Sequence, residues 1–189
     1  MESIIESKLT TIARVGISYL DVDNQRLKEI ILTEGDKQDR KTNLKCDMTD
    51  WNLEQKYPEL YQLTNQIIFK GVIPYLTKVY SKEDYDAAPD VTGHQFLLAD
   101  MWGAIYNKND YAIKHNHGLT HTSFCYYVEA PENCSPLVFD DTDIEVQPKT
   151  GMLVTFNADL FHSVPISEMD KKRIVISGNF DIIPGDIKL

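Results

Sequence analysis

Alternating apolar and polar positions fill the second half of the chain in short stretches. A pattern of period two places successive side chains on opposite faces of a strand. It predicts eight strands, over residues 96–106, 111–117, 122–129, 137–139, 144–147, 151–156, 161–165 and 172–180. Eight short strands joined by turns are typical of a double-sheet jelly roll. We therefore expect a mainly β fold, a cupin-like jelly roll of the kind also called a double-stranded β-helix.

The first 95 residues show a mixed pattern. Apolar residues at helical spacing predict a short helix over residues 3–13, and an apolar run predicts a strand over residues 15–20. Charged or turn-rich sequence predicts surface connections over residues 35–50 and 82–93. This half is therefore expected to be helical or mixed rather than a continuation of the β pattern.

Two further helices are marked by the residues at which they begin. Asp23 can cap the first, because its carboxylate can accept from an unpaired backbone N–H. Pro58 fits the first turn of the second, where its missing N–H is not needed. Gly71 and Pro74 are expected to interrupt or kink that second helix. The apolar faces carry Leu27, Ile30 and Ile31 in the first helix and Leu60, Leu63 and Ile67 in the second.

The length and composition suit one domain. A chain of 189 residues that is 42% hydrophobic can bury a substantial core. We expect a single domain over residues 1–189, in which residues 96–180 form the jelly-roll core. Residues 1–95 are expected to support that core, with N-terminal helices that buttress one sheet.

Charge and cysteine content narrow the range of partners. With 19 Lys and Arg against 29 Asp and Glu, the net charge of −10 lacks the basic footprint that attracts nucleic acid. No apolar run approaches the length of a membrane span, and the N-terminus has no signal-peptide core. Cys46, Cys125 and Cys134 are not spaced as a disulfide framework or a zinc cluster. These features predict no nucleic-acid partner, no membrane partner and a cytoplasmic setting.

The segment His115-Asn-His117 is the strongest indication of chemistry in the chain. Side chains at positions i and i+2 of a strand share a face, with Cβ atoms roughly 6–7 Å apart. Two imidazoles at that separation can bind one metal ion at about 2.0–2.1 Å each. A third ligand, His162, follows a separate predicted strand and would leave one side of the metal open. The pattern predicts a reactive metal site.

Arg173 opens the apolar strand segment Arg173-Ile-Val-Ile-Ser177. A charge that is buried without a partner is very costly. The guanidinium must therefore either reach solvent or meet an anion.

Taken in order, these segments resemble the Fe(II)/2-oxoglutarate-dependent dioxygenases. The prolyl-hydroxylase-like branch and the oxygenases often carried by phages are the most similar. The resemblance covers residues 96–180, a little under half of the chain. The matching motifs are His115-Asn-His117, Gly151-Met-Leu-Val-Thr-Phe156, Phe161-His162-Ser-Val-Pro165 and Arg173-Ile-Val-Ile-Ser177.

The resemblance implies a role for each matched residue. His115 and His162 take metal-ligand positions, and Arg173 takes the position that binds the far carboxylate of 2-oxoglutarate. Tyr106 and Tyr127 occupy positions where relatives place tyrosines around that carboxylate. The implied reaction uses Fe(II), 2-oxoglutarate and O2, hydroxylates a substrate and releases succinate and CO2. It needs no catalytic side chain beyond the metal ligands.

His117 departs from the family pattern, because most relatives have aspartate at that position. The usual non-haem iron site has two histidines and one carboxylate. Three neutral imidazoles are chemically tolerable, since the 2-oxoglutarate dianion would balance the charge of Fe(II). The third ligand is therefore His117, a nearby carboxylate such as Asp110, or water.

Two other functions remain open at this point. A cupin-like enzyme could use three histidines to bind zinc or manganese for hydrolysis or isomerisation. The site could also belong to a non-catalytic metal-binding protein. Arg173 favours the dioxygenase, since only that reaction needs a cation at such a distance for a dicarboxylate. The expected substrate is a small molecule or a protein side chain, and the resemblance adds a phage protein acting in the host cytoplasm as one setting.

Overall fold

Two antiparallel sheets make up most of the fold in the computed structural model, which describes residues 10–12, 14–35, 42–79 and 93–183. The strands in this part of the chain are β1 (Thr10–Ile12), β2 (Val15–Tyr19), β3 (Leu44–Lys45), β4 (Asp47–Met48), β5 (Gln95–Tyr106), β6 (Tyr111–His115), β7 (Thr122–Glu129), β8 (Leu137–Phe139), β9 (Ile144–Val146), β10 (Met152–Asn157), β11 (His162–Val164) and β12 (Arg173–Ile183). The larger sheet has the order β1-β2-β10-β7-β12-β5-β4, and the smaller has the order β3-β6-β11-β8-β9. The prediction of a mainly β fold is confirmed.

All eight strands predicted for the second half are present as β5 to β12; β7 and β8 have the predicted bounds, and the ends of the other six are shifted by at most three residues. One shift matters for the site. β6 ends at His115, whereas the sequence pattern carried this strand to His117. His117 lies in the turn that follows, where its carbonyl accepts from the backbone N–H of Thr120 at 2.9 Å.

The first helix, α1 (Asn24–Glu34), begins as predicted. The Asp23 carboxylate accepts from the backbone N–H of Arg26 at 3.0 Å. The apolar face is buried against the larger sheet, and it consists of Leu27, Ile30 and Ile31.

Removing the cap should weaken the fold measurably. Asp23→Ala is expected to lower the free energy of unfolding by about 0.5–2 kcal/mol, because the Arg26 N–H loses its acceptor. Asp21→Ala is the matched control, since Asp21 is exposed and precedes the helix. Its effect should stay within about 0.5 kcal/mol. Urea unfolding of both variants measures the difference, and equal midpoints would contradict the capping role.

The second helical region is interrupted where the sequence predicted. It consists of α2 (Pro58–Ile67), a π-helical turn over Ile68–Val72 and α3 (Ile73–Val79). Pro74 has no N–H to donate back along the helix, which disfavours a regular α-helical turn here. The buried face continues through the π turn at Gly71 and Val72 and on into α3 at Tyr75 and Leu76.

Gly71 lets the π turn lie directly on the larger sheet. A Cβ at this position would lie 2.5 Å from Leu153 Cδ2 and 3.1 Å from Thr155 Oγ1, both on β10. A side chain at this position would therefore require Leu153 or the helix itself to move.

The expected helix over residues 3–13 is wrong where it can be compared with the structure. Residues 10–12 form β1, which pairs with β2 in the register Thr10↔Ile17 and Ile12↔Val15. β-Branched residues favour a strand, and the backbone pairing with β2 is a long-range feature that helical spacing does not reveal. Residues 3–9 and 13 lie outside the described part of the chain.

The two expected surface connections have different outcomes. The described part of residues 35–50 is not a simple loop, because it contains β3 and β4. β3 pairs with β6 at the edge of the smaller sheet, and β4 pairs with β5 at the edge of the larger one. The connection over residues 82–93 lies outside the described residues, apart from Gly93.

Two hydrophobic clusters cover the two faces of the larger sheet. One lies between this sheet and the helices α1, α2 and α3. The other lies between the two sheets and includes Trp102, Phe156 and Val175 from the larger sheet with Leu137 and Val164 from the smaller one. No helix in the described ranges has the length and apolar character needed to cross a membrane.

Candidate metal centre

Antiparallel pairing of two short strands brings two of the three histidines together. His115 is the last residue of β6, His162 is the first residue of β11, and the two are direct partners in the register. Their ring centroids are 4.4 Å apart. His117 joins them from the turn after β6, where its backbone N–H donates to the carbonyl of Ala158 at 2.7 Å.

The three side chains form a compact group of potential metal ligands. One ring nitrogen from each histidine lies within 4.8 Å of the other two. The rings of His115 and His117 are 5.1 Å apart between centroids, and those of His117 and His162 are 5.2 Å apart. This arrangement allows the three imidazoles to face a single ion.

Backbone carbonyls fix the orientation of two of the rings. His115 Nδ1 lies 2.7 Å from the carbonyl oxygen of Ile113, and His162 Nδ1 lies 2.9 Å from that of Leu160. A carbonyl can only accept, so Nδ1 carries the proton in both rings. Nε2 is then left with its lone pair free, which is the form that binds a metal.

Burial keeps the three imidazoles neutral. Loss of solvent lowers the pKa of His162 to about 3 and that of His117 to about 4, and neighbouring imidazoles add to both shifts. Burial also lowers the pKa of His115. At neutral pH no proton therefore competes with a metal for these nitrogens.

Asp110, the carboxylate considered as a third ligand, is occupied elsewhere. Its Oδ2 accepts from the backbone N–H of Asn107 at 2.7 Å and from the Asn107 side chain at 3.1 Å. It thus closes the turn between β5 and β6. Within the described residues, the group that could hold a metal consists of the three histidines.

Arg173 lies at the inner end of the same cavity and is only 3% exposed. Its guanidinium carbon is 4.7 Å from the ring centroid of Tyr106 and 5.2 Å from that of Tyr127. Strand pairing accounts for this, since Arg173 is the register partner of Tyr106, and Val175, two residues on, is the partner of Tyr127. The structure thus rules out solvent as the destination of this charge.

The guanidinium has hydrogen-bonding capacity to spare. Nη2 lies 3.5 Å from the hydroxyl oxygen of Tyr127, which makes a long hydrogen bond. Nε and Nη1 are buried and have no hydrogen-bond partner within the described ranges of the chain. Burial raises the pKa of Tyr106 and of Tyr127, so both phenols stay neutral and can donate to an anion. Two unpartnered N–H groups beside two phenols form a site suited to a carboxylate.

Trp102 is a residue of the cavity that the sequence analysis did not single out. It lines the cavity with the histidines, and its Nε1 is buried and has no hydrogen-bond partner among the described residues. Its ring centroid is 6.0 Å from that of His117. The alternation of β5 could have found it, because Trp102 lies four residues before Tyr106 and therefore on the same face.

No family model matches the sequence, and no curated protein matches it. The fold, in contrast, is similar to that of solved structures. A viral collagen prolyl hydroxylase from Paramecium bursaria Chlorella virus-1, in complex with 2-oxoglutarate, superposes with a TM-score of 0.58 at 14% identity, over 87% of this chain and 94% of that one. HygX from Streptomyces hygroscopicus, with nickel and 2-oxoglutarate bound, gives a TM-score of 0.62 at 10% identity, over 93% of this chain and 84% of that one.

A third similar structure is a prolyl-4-hydroxylase from Pseudomonas putida. Its TM-score is 0.53 at 14% identity, over 84% of this chain and 81% of that one. The chain therefore has the fold of these proteins, and the resemblance noted in the sequence is confirmed at the level of the fold.

Proposed function

We propose that the protein is a dioxygenase dependent on Fe(II) and 2-oxoglutarate. It would hydroxylate a substrate while converting 2-oxoglutarate and O2 to succinate and CO2. One observation carries the proposal: a buried guanidinium with unpartnered N–H groups shares a cavity with three neutral histidines. A metal-binding protein or a hydrolase has no need of such an arginine.

The donor set fits Fe(II). His115, His117 and His162 would hold the ion through neutral imidazole nitrogens, which suit iron as well as zinc. They add no negative charge, so the ion keeps its full double charge until an anion arrives. The 2-oxoglutarate dianion supplies that charge, which makes cosubstrate binding and metal binding mutually favourable.

Arg173 fits the far carboxylate of the cosubstrate. A guanidinium presents its donors in a planar fork that matches the two oxygens of a carboxylate. Tyr106 and Tyr127 flank the fork and would donate to the same group. With the arginine and the histidines lining one cavity, a dicarboxylate could meet both.

The remaining residues orient the ligands and exclude water. Bound iron and 2-oxoglutarate together supply the oxidising chemistry, which inserts one oxygen atom of O2 into a substrate C–H bond and places the other in succinate. The chain itself provides an apolar wall that keeps water from the reacting groups. This wall consists of Leu137, Phe156, Val164 and Val175.

We also propose that the chain works as one domain, with residues 96–180 as the catalytic core. The N-terminal helices would act as a buttress, because α1 lies close against the larger sheet. A Cβ on Gly103 of β5 would lie 2.9 Å from Ile31 Cγ2 on α1. The substrate would be a small molecule or a protein side chain.

Anaerobic mixing with Fe(II) and 2-oxoglutarate tests the function. A weak visible charge-transfer band is expected, because chelation of Fe(II) by the ketone and carboxylate of 2-oxoglutarate produces it. Succinate should not replace 2-oxoglutarate, and admission of O2 should yield succinate. Absence of the band, with zinc tightly retained instead, would contradict the proposal and favour a three-histidine zinc enzyme.

A further inference from the structure

An open cleft lies beside the candidate metal centre, on the side away from Arg173. It shares His117 with the histidine group, and its other lining residues include Asp100, Asn116, Thr120 and Asn179. This position is where a substrate would have to lie in order to reach the metal. The chemistry of the cleft therefore bears on what the substrate is.

The Asp100 carboxylate is held in place by a buried chain of hydrogen bonds. The side-chain nitrogen of Asn179 donates to Asp100 Oδ1 at 2.7 Å, and Ser123 Oγ donates to Asn179 Oδ1 at 2.7 Å. Ser123 and Asn179 are each only 2% exposed. Three strands contribute, because Asn179 on β12 pairs with Asp100 on β5 and with Ser123 on β7. The carboxylate is thus oriented before any ligand arrives.

No cation balances this carboxylate among the lining residues of the cleft. The carboxylates of Glu54 and Asp181 also act on it. Burial raises the pKa of Asp100, the hydrogen bonds from Asn179 oppose this shift, and the two like charges add to it. A half-buried anion among anions is unfavourable by itself, and a bound cation would relieve it.

Aromatic rings lie next to Asp100 on the same side of the sheet. Trp102 follows it by two residues on β5, and Trp51 packs edge-on against Trp102 with ring centroids 4.7 Å apart. Trp51 is 39% exposed. Indole faces attract ammonium and guanidinium groups. The aromatic residues and the carboxylate therefore favour the same kind of ligand.

The inner face of the larger sheet thus has opposite charges at its two ends. Along β12 the inward positions run Arg173, Val175, Ser177 and Asn179, and along the antiparallel β5 their partners run Tyr106, Ala104, Trp102 and Asp100. Arg173 lies at one end of this face and Asp100 lies at the other, and the three histidines lie opposite the residues between them. The Arg173 end therefore suits a dianionic ligand, and the Asp100 end suits a cationic one.

We propose that the substrate binds Asp100 through a protonated amine or a guanidinium group. This inference rests on the proposed dioxygenase function, in which R–H, O2 and 2-oxoglutarate give R–OH, succinate and CO2. The C–H bond to be hydroxylated then lies a few atoms from the charged nitrogen, beside His117. The nitrogen belongs either to a free amine or to a lysine or arginine side chain of a peptide.

Ligand binding to the whole protein tests this inference. The only two tryptophans in the chain are Trp51 and Trp102, and Trp102 shares a face of β5 with Asp100, so a change in intrinsic fluorescence is the readout of binding. The probes are n-butylammonium, n-butylguanidinium and capped glycine tripeptides with a central lysine or arginine. Their neutral counterparts are n-butanol and the tripeptide with acetyl-lysine. Each titration is done with Fe(II) and 2-oxoglutarate present, without O2.

At least one cationic probe should bind at least about tenfold more tightly than its neutral counterpart, because only the cation pairs with the carboxylate. The small amines and the tripeptides distinguish the two sources of the nitrogen. Asp100→Asn should remove at least about tenfold of that affinity. The matched control, Asp143→Asn on an exposed turn, removes the same charge elsewhere and should have no effect.

Equal binding of charged and neutral probes to the parent protein would overturn the inference, whether or not the Asp100 variant folds. Equal cation affinity in Asp100→Asn and the parent would overturn it as well. The charge-transfer band of Fe(II) with 2-oxoglutarate should survive in Asp100→Asn. Its absence from the parent protein would instead contradict the dioxygenase function, so the two failures are distinguishable.

Discussion

Replacing Arg173 with methionine is expected to weaken 2-oxoglutarate binding by about 2–4 kcal/mol, which is roughly 30-fold to 1000-fold. The methionine keeps an apolar chain in the pocket but removes the fork that would receive the far carboxylate. Metal affinity should change little, because no histidine in the group contacts the guanidinium. Titration of the charge-transfer band measures the first quantity, and anaerobic Fe(II) binding measures the second.

Arg173→Lys serves as the matched control. It keeps the charge but loses the planar fork, so an intermediate 2-oxoglutarate affinity is expected. Equal 2-oxoglutarate affinity in Arg173→Met and the parent would contradict the assigned role.

Arg173→Met should not destabilise the ligand-free protein. In the part of the chain that the structure describes, Arg173 Nε and Nη1 are buried without partners, and a buried unpaired charge costs stability that the contacts with Tyr106 and Tyr127 only partly offset. Arg173→Met should therefore melt at the same temperature as the parent or higher when no ligand is present. Addition of 2-oxoglutarate should stabilise the parent alone. A large loss of stability without ligand would instead make Arg173 a structural residue.

Loss of any one histidine of the group should cost on the order of 100-fold or more in iron affinity, since even the loss of an outer hydrogen-bond partner costs about 10–100-fold. His115→Ala, His117→Ala and His162→Ala should be similar, because each removes one imidazole from the same ion. His121→Ala is the matched control. His121 lies outside the group, and its Nδ1 is 3.3 Å from Asp181 Oδ1.

His117 is the most informative of the three positions. His117→Asp should retain iron, because a carboxylate at this position restores the two-histidine, one-carboxylate set. Its affinity for the 2-oxoglutarate dianion should fall modestly, since the site has lost one unit of positive charge. Intact iron binding in His117→Ala would show that the third ligand is not His117 and that the site has two histidines.

The strands of the second half could be predicted because each has a local period of two. Their partners could not be predicted, because pairing depends on residues far away in the chain. β1 shows the limit of local pattern: Ile12 fits a helical spacing, but in the structure it is the register partner of Val15 on β2. The local sequence pattern gives the periodicity of a segment. It does not show which strand will pair with that segment, and this pairing decides between a helix and a strand.

The site was predictable to the extent that its residues are close in sequence. His115 and His117 are two residues apart, whereas His162 joins them only through the β6–β11 register. For Arg173 the sequence left two destinations open, and only the burial of β12 decides between them. The proposed role of Asp100 could not be recognised from the sequence, because the side chains that hold this carboxylate in place lie on two other strands: Asn179 donates to it, and Ser123 donates to Asn179.

The π-helical turn over Ile68–Val72 has a consequence for evolutionary comparison. A π turn accommodates one residue more than a regular helix, so it can absorb a single-residue insertion without changing the helix ends. Relatives with a regular helix here would be one residue shorter, and the gap in their alignment belongs inside the helix. An alignment that opens the gap in a loop would shift every residue of α3 by one position, about 100° around the helix axis. Tyr75, whose hydroxyl donates to the carbonyl of Arg14 at 2.9 Å, would then be matched to a residue that faces elsewhere.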